Sequence, residues 1–189
     1  RPHDFTPQEL VTKRSYGVIL SLGAREEVVV YHQTFPLRRG VLREELKSRL
    51  KCNNRLFNAC IRKWLQMGLL EENGLYLLRP GHVIRFNPQQ QHSVDRLINR
   101  FAAAPYAPPP IKECQTEVGE EIYSALLETG ELVAVSAEVV FRAKDFEEMV
   151  HELRKILERQ GTITAAEVRD FFNTSRRYVL AFLEFLDSK

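Results

Sequence analysis

The stretch TAAEVRDFFNTSRRYVLAFLEFLDSK (residues 164–189) contains two short helices separated by a polar turn. Thr164 and Glu167 have the spacing of a capping box, in which each side chain bonds the backbone N–H of the other residue, so a helix begins here. One residue of the polar run Asn173–Ser175 caps the next helix. The apolar stripe of that helix is formed by Val179, Phe182, Leu183 and Leu186. This order of elements predicts a helix-turn-helix.

A longer amphipathic helix precedes this pair. KDFEEMVHELRKILERQG (residues 144–161) ends at Gly161, since glycine readily takes the left-handed conformation that closes a helix. Its apolar face consists of Phe146, Met149, Val150, Leu153, Ile156 and Leu157. Residues 143–189 therefore predict three helices. No β-hairpin pattern follows the last of them.

Residues 31–86 show the same order of helices, followed by a hairpin. GVLREELKSRL, which begins at Gly40, predicts a helix with Leu42, Leu46 and Leu50 at helical spacing. After the polar break KCNN, Asn53 or Asn54 caps a helix that ends at Gly68. The apolar face of that helix consists of Leu56, Cys60, Ile61, Trp64 and Leu65. LLEENGLYLLR then predicts two short strands around an Asn73-Gly74 turn.

Residues 87–142 repeat this order once more. QQQHSVDRLINRFAAAP predicts a helix with inward residues Val94, Leu97, Ile98 and Phe101. The prolines 108–110 stiffen the start of a short helix, and GEEIYSALLETG predicts a helix closed by Gly130. ELVAVSAEVVFR alternates as a hairpin with strands Leu132–Val135 and Val139–Phe141.

Helix, short helix, capped helix and hairpin is the order of a winged-helix module. We therefore predict a mostly α fold with small β-hairpins (α+β). It consists of tandem winged-helix modules in an elongated array, with the last wing absent. The predicted modules are residues 31–86, 87–142 and 143–189, the last being the C-terminal module. Residues 1–30 are the remnant of a preceding winged-helix module or a linker, and RSYGVILSLGAREEVVVYHQ allows either a strand pair around Ser21–Glu27 or a helix.

Composition excludes several classes of protein. The net charge of +2 is too small to indicate nucleic-acid binding by itself, so a binding surface must be a local concentration of Lys and Arg. No run of about 18 apolar residues could span a bilayer. The start lacks both methionine and a signal peptide, which indicates a fragment of a longer, cytoplasmic protein. The three cysteines form no CxxC pair, so neither disulfides nor a zinc site are expected.

Catalytic motifs are also missing. The chain contains no GxxxxGK[ST], GxSxG or HExxH, and neither His32 nor His92 stands near a Ser or Cys in a recognisable triad. We therefore predict that the chain is not an enzyme and has no catalytic, cofactor-binding or metal-binding residues.

Two regions are rich in cations. Arg176 and Arg177 stand at a helix start, where they oppose the macrodipole at a cost of about 0.3–1 kcal/mol. With the free backbone N–H groups and the hydroxyls of Thr174 and Ser175 they predict a phosphate-binding cradle. The densest basic stretch runs from Arg38 to Arg55, but glutamates interrupt it and helical spacing spreads its cations around the axis. A second nucleic-acid face, for example to ribosomal RNA, is the alternative, and a solvated surface is the favoured interpretation there.

Two motifs carry a family resemblance. YHQTFPLRRGVLREELKSRL (residues 31–50) resembles the start of a winged-helix module of the bacterial selenocysteine-specific translation elongation factor SelB. It has an aromatic-His pair, a Pro-Leu-Arg-x-Gly turn and an Arg-Glu-Glu-Leu helix. The segment 165–187 is similar to the last winged helix of that family, in which Ser-Ser/Thr-Arg-Lys-Tyr opens the recognition helix. The resemblance spans residues 31–189.

The resemblance implies a function for the last module. This module would bind the selenocysteine-insertion hairpin of the mRNA, so that UGA is decoded as selenocysteine on the ribosome. The implied RNA-binding residues are Thr174, Ser175, Arg176, Arg177, Tyr178 and Lys189. Tyr178 could stack on an unpaired base or pack in the core. The GTPase part of the family, with its GTP and magnesium, is absent, and selenocysteinyl-tRNA would be bound through that absent part. A monomer with no membrane contact is expected.

Two other functions fit the fold. A winged-helix DNA-binding transcriptional regulator would need base-reading side chains along the last helix, whereas Glu184 and Asp187 lie there. A protein-interaction scaffold would bind no RNA at all.

Overall fold

The computed structural model describes the backbone of residues 7–189 and the side chains of residues 20–189. The helices are α1 (Pro7–Thr34), α2 (Arg43–Arg49), α3 (Asn54–Gln66), α4 (Pro88–Ala103), α5 (Ile111–Val118), α6 (Glu120–Glu128), α7 (Ala143–Gln160), α8 (Ala165–Phe171) and α9 (Arg176–Asp187). The strands are β1 (Val41–Leu42), β2 (Glu71–Asn73), β3 (Tyr76–Leu78), β4 (Leu132–Ala134) and β5 (Val140–Arg142). The predicted class, mostly α with small antiparallel sheets, is confirmed. The chain divides into two compact units between Arg85 and Phe86.

Helix α1 belongs to the first unit. Leu20, Ala24, Val28 and Tyr31 recur at helical spacing, and all four are buried in one core with residues of α2, α3 and the sheet. The three valines at 28–30, which favour a strand by propensity, are overridden by this amphipathic spacing. The sequence assigned residues 1–30 to a preceding module or linker. From Leu20 onward they are instead part of the first unit's core, while residues 1–6 lie outside the described part of the chain.

A three-stranded sheet, ordered β1-β3-β2, completes the first unit. The helix predicted to begin at Gly40 begins only at Arg43, because Val41–Leu42 pairs with β3 as a strand. Leu42 is consequently 43% exposed rather than buried. The predicted hairpin is confirmed, but its two-residue turn is Gly74-Leu75, one residue later than expected. Gly74 has φ of +61°, as the first position of a type II′ turn requires.

Gly40 is required because β1 passes close to β3. A Cβ at this position would lie 2.6 Å from the backbone oxygen of Leu77, the residue opposite Val41 in the ladder. We expect Gly40→Ala to lower the free energy of unfolding of the first unit by about 1–3 kcal/mol, measured by urea denaturation. Trp64, the only tryptophan, is buried in this core and reports the transition.

Gly23→Ala is the matched control for that substitution. Gly23 lies within α1, and a Cβ there would meet only Leu50 Cδ2 at 3.7 Å, an ordinary contact. The exchange should be neutral or stabilising, since alanine is the better helix former. An equal loss of stability in both variants would contradict the role assigned to Gly40.

Two stacked histidines join the end of α1 to the segment after β3. The rings of His32 and His82 lie 3.5 Å apart between centroids. His32 is buried, and its Nε2 accepts a hydrogen bond from the backbone N–H of Arg79 at 3.4 Å. Burial lowers the pKa of His32 to about 4, helped by the charges of His82 and Arg79. His32 is therefore neutral in the folded protein near pH 7.

Because the pKa of His32 is below its ordinary value of 6.5, the unfolded chain binds its proton first as the pH falls. Stability contributed by neutral His32 is complete above about pH 6.5 and is lost between there and pH 4, by about 1–3 kcal/mol. His32→Gln keeps an acceptor for Arg79 but cannot titrate. Its unfolding free energy, followed by Trp64 fluorescence, should fall less steeply over this range; parallel profiles would contradict the prediction.

The second unit begins with α4, α5 and α6. Asn87 caps α4 through a capping box with Gln90, a signal that the sequence analysis did not use. Pro110 precedes α5, as the proline run predicted, and Gly119 joins α5 to α6 with φ of +85°. Two ion pairs connect α4 to α5. Arg100 of α4 bonds Glu113 and Glu117 of α5 at 2.9 and 2.6 Å.

The β4–β5 hairpin is buried on both faces. Leu132 and Val140 point to one side, where β4 contacts α6 and β5 contacts α4. Val139 and Phe141 point to the other side, into a core that also contains Met149 of α7 and the inward residues of α8 and α9. The predicted boundary between residues 142 and 143 therefore does not separate two cores. In the described chain no strand follows α7, and no described helix is long and apolar enough to cross a membrane.

Candidate nucleic-acid interface

The turn between α8 and α9 presents the predicted site. Thr164 and Glu167 form the predicted capping box: the backbone N–H of Thr164 donates to Glu167 Oε2 at 2.7 Å. That bond and a second from the Thr164 hydroxyl lower the pKa of Glu167, so the cap persists at neutral pH. Asn173 has φ of +46° and reverses the chain, after which Ser175 occupies the N-cap position of α9 without a side-chain cap bond.

Three of the six predicted residues are bound to the middle part of the second unit. The hydroxyl of Thr174 donates to the backbone oxygen of Tyr106, and that of Tyr178 donates to the backbone oxygen of Pro108 at 3.1 Å. Arg177 forms an ion pair with Glu138 at 3.2 Å. These side chains attach the start of α9 to the loop before α5 and to the β4–β5 turn.

Tyr178 is the clearest case of a structural role. Its ring is half-buried and packs edge-on against Phe141, with ring centroids 6.4 Å apart. Of the two roles that the sequence left open, the structure favours core packing, because both the ring and the hydroxyl have partners.

The other predicted residues remain available. Ser175 and Arg176 are exposed, and among the described residues neither side chain has a hydrogen-bond or ion-pair partner. Lys189 is exposed and lies over the ring of Phe185 at 5.3 Å. It stands at the opposite end of α9, about 20 Å along the axis from Arg176. Lys189 is thus not brought together with the residues at the helix start.

Phe171 is a residue that the sequence analysis missed. It ends α8 and is 54% exposed, while its neighbour Phe172 is buried among the core residues. Val168 and Phe172 are four residues apart on the inward face, so helical spacing already places Phe171 outside. An exposed aromatic ring beside a cationic helix start can stack on an unpaired base.

Part of the basic stretch of the first unit is neutralised. Arg43 pairs with Glu72, Lys47 with Glu44, and Arg49 with Glu27 and Glu45. For these three cations this agrees with the solvated surface expected there, whereas Arg55 forms no ion pair among the described residues.

The two units define a tandem winged-helix protein with one exposed cationic helix start in its last module. Residues 25–78 and 155–189 each match a family described as "Elongation factor SelB, winged helix". These two segments are winged-helix domains of the SelB family.

Known relatives agree with this assignment. The chain is 26% identical over 169 residues to the selenocysteine-specific elongation factor of Desulfomicrobium baculatum, a match covering 84% of this chain and 26% of that protein. It is also similar to the crystal structure of a bacterial selenocysteine-specific elongation factor EF-Sec, with a TM-score of 0.53 and 16% identity over 92% of this chain and 27% of that one. The second likeness concerns the fold alone. The chain spans about a quarter of the length of both relatives.

The hydroxyl of Tyr178 should stabilise the second unit. Tyr178→Phe leaves the buried carbonyl of Pro108 without its donor, so we expect a loss of about 1 kcal/mol in the free energy of unfolding. Circular dichroism follows the helices of both units, whereas Trp64 fluorescence reports the first unit and should not change, so a loss seen only by circular dichroism belongs to the second unit.

Tyr76→Phe is the control for that variant, because no hydrogen bond of the Tyr76 hydroxyl occurs among the described residues. Its stability should equal that of the unaltered protein. If Tyr178→Phe were equally neutral, the bond to Pro108 would not be an anchor.

Proposed function

We propose that this chain is an RNA-binding part of a selenocysteine-specific elongation factor. The start of α9 binds the selenocysteine-insertion hairpin of the mRNA, so that UGA is decoded as selenocysteine. The observation that carries the proposal is that some residues at this helix start anchor it, while their neighbours remain exposed for binding. Thr174 and Tyr178 fix it against its neighbours, Arg177 forms a surface ion pair with Glu138, and Ser175 and Arg176 are exposed without a partner among the described residues.

A helix start of this kind suits a phosphate group. The first backbone N–H groups of α9 have no partner within the helix and point along the axis. Together with the macrodipole they favour an anion, and Arg176 adds a guanidinium with paired donors. The rest of the exposed helix carries Glu184 and Asp187, which repel a backbone, so contact is confined to the first turn. That supports a short RNA hairpin over a DNA duplex lying along the helix.

We further propose that a loop base stacks on Phe171 instead of Tyr178. The Phe171 ring is 54% exposed although Phe172 packs edge-on against it at 4.9 Å, whereas the Tyr178 ring is half-buried and its hydroxyl donates to the Pro108 oxygen. Stacking on an aromatic ring contributes about 1–3 kcal/mol per base. Lys189 contributes at most a separate backbone contact, because it lies at the other end of α9.

The remaining partners are proposed from the similarity to selenocysteine-specific elongation factors. The ribosome is a partner of the whole factor, and selenocysteinyl-tRNA, GTP and magnesium are assigned to parts of the factor outside this chain. In this proposal the chain acts in the cytoplasm as a monomer, by binding and without chemistry of its own.

The proposal is tested by fluorescence anisotropy of a labelled selenocysteine-insertion hairpin, titrated over salt. Arg176→Gln should weaken binding about 5–30-fold and reduce the slope of log K against log salt by about one, since one phosphate contact is lost. Phe171→Ser should weaken binding with the slope unchanged, because stacking involves no counterion release.

Arg154→Gln is the matched control. Arg154 is exposed on α7, and its removal changes the net charge equally without touching α9. A hairpin with a scrambled loop measures the non-specific component. Equal effects of Arg176→Gln and Arg154→Gln, or equal affinity for both hairpins, would refute the proposed site.

A further inference from the structure

Helix α3 packs one face into the core and exposes several cations on the other. Phe57, Ile61 and Trp64 are buried on one side. At 100° per residue the opposite side is a stripe about three turns long, formed by Arg55, Ala59, Arg62 and Gln66, with Lys63 beside it. All five are exposed.

No acidic residue of α3 can neutralise these cations. Helix α3 contains Arg55, Arg62 and Lys63 and not one acidic residue. Among the described residues none of the three takes part in an ion pair, unlike Arg43 and Arg49 of the preceding segment. Arg55 lies in the first turn, where a cation opposes the macrodipole. Lys63 in the last turn suits the macrodipole, so helix stability explains that cation but not Arg55.

The equivalent helices of the other modules differ in charge. Helix α6 carries Glu120, Glu121 and Glu128 and no cation. Helix α9 has both arginines in its first turn and acids in its last. Only α3, among these three described helices, carries cations near both ends and no acidic residue. The charge is thus a property of this position and not of the fold.

We propose that the outward face of α3 binds the phosphate backbone of an RNA duplex, at a site separate from the hairpin site on α9. Arg55 and Arg62 are about 10 Å apart along the axis, and the short side chain of Ala59 between them allows close approach. Contacts of this kind position a duplex without reading its sequence, which suits A-form RNA, whose deep major groove side chains cannot read.

The chemistry of the stripe favours nucleic acid over a protein partner. Protein interfaces depend on buried aromatic or aliphatic anchors, and the stripe offers none larger than Ala59. RNA is favoured over DNA because the matched relatives are translation factors. The two glutamates of β2 already have partners within the first unit. Glu72 is paired with Arg43, and Glu71 accepts a hydrogen bond from the backbone N–H of Gly81.

The test uses the whole chain carrying Arg176→Gln, so that the α9 site is weakened, and a blunt RNA duplex without a loop. Arg55→Gln/Arg62→Gln/Lys63→Gln should lower duplex affinity at least 30-fold near 0.1 M salt. The slope of log K against log salt should fall by about two to three. Arg55→Lys/Arg62→Lys, which keeps the charge, should retain most of the affinity.

The control removes the same charge elsewhere. Lys144→Gln/Arg154→Gln/Arg159→Gln lies on α7, where exposed cations alternate with glutamates. It should reduce affinity only slightly, and Trp64 fluorescence should show that the α3 variant keeps its fold. Equal losses in the two triple variants, or no duplex binding before substitution, overturn the proposal. Capture of an acidic protein without duplex binding overturns it as well.

The outcome is independent of the hairpin site. Loop-specific hairpin binding should persist when the three α3 substitutions are made in the otherwise unaltered chain, and should weaken about 5–30-fold in Arg176→Gln alone. If hairpin binding proves absent while duplex binding depends on α3, the function proposed for α9 fails and this inference stands.

Discussion

The second unit depends on a hairpin that is buried on both faces. A sheet with only one covered face would leave α7–α9 as a separate module with a small core, and such modules are marginally stable. Here Phe141 and Val139 supply that core from one side, while Val140 faces the preceding helices from the other. Arg142 adds a bidentate bond to the buried carboxylate of Asp145 in the first turn of α7. The start of α9 is therefore held by residues far away in the sequence.

This attachment separates the polar residues at the α9 start into two groups. The hydroxyls of Thr174 and Tyr178 reach backbone oxygens about 70 positions earlier in the chain. Arg176 and Ser175 are exposed to solvent. A helix start whose backbone is held in place loses less conformational entropy on binding a phosphate than a mobile one. Structural anchoring and binding thus use neighbouring residues for different purposes.

Local signals predicted much of the fold. The Thr164–Glu167 capping box, the left-handed Gly161 and the hairpin after Gly68 all depend on residues within a few positions of each other. Strand β1 escaped prediction because two residues carry no periodicity, and Val41 is a strand only through its pairing with Leu77. At the site, position in the chain predicted the exposed Arg176. It could not separate Arg176 from Arg177, whose partner Glu138 lies in another element.

By itself the sequence determined most helices after α1, the caps of α3 and α8, the order of elements that defines winged-helix modules, and the two segments that match the SelB family. These depend on local hydrogen bonding and on the period of apolar residues. Tertiary structure decided that α1 belongs to the first core, that residues 86–189 share one unit, and which cations are free. These properties depend on contacts between residues distant in the chain, and neither periodicity nor spacing within one segment records such contacts.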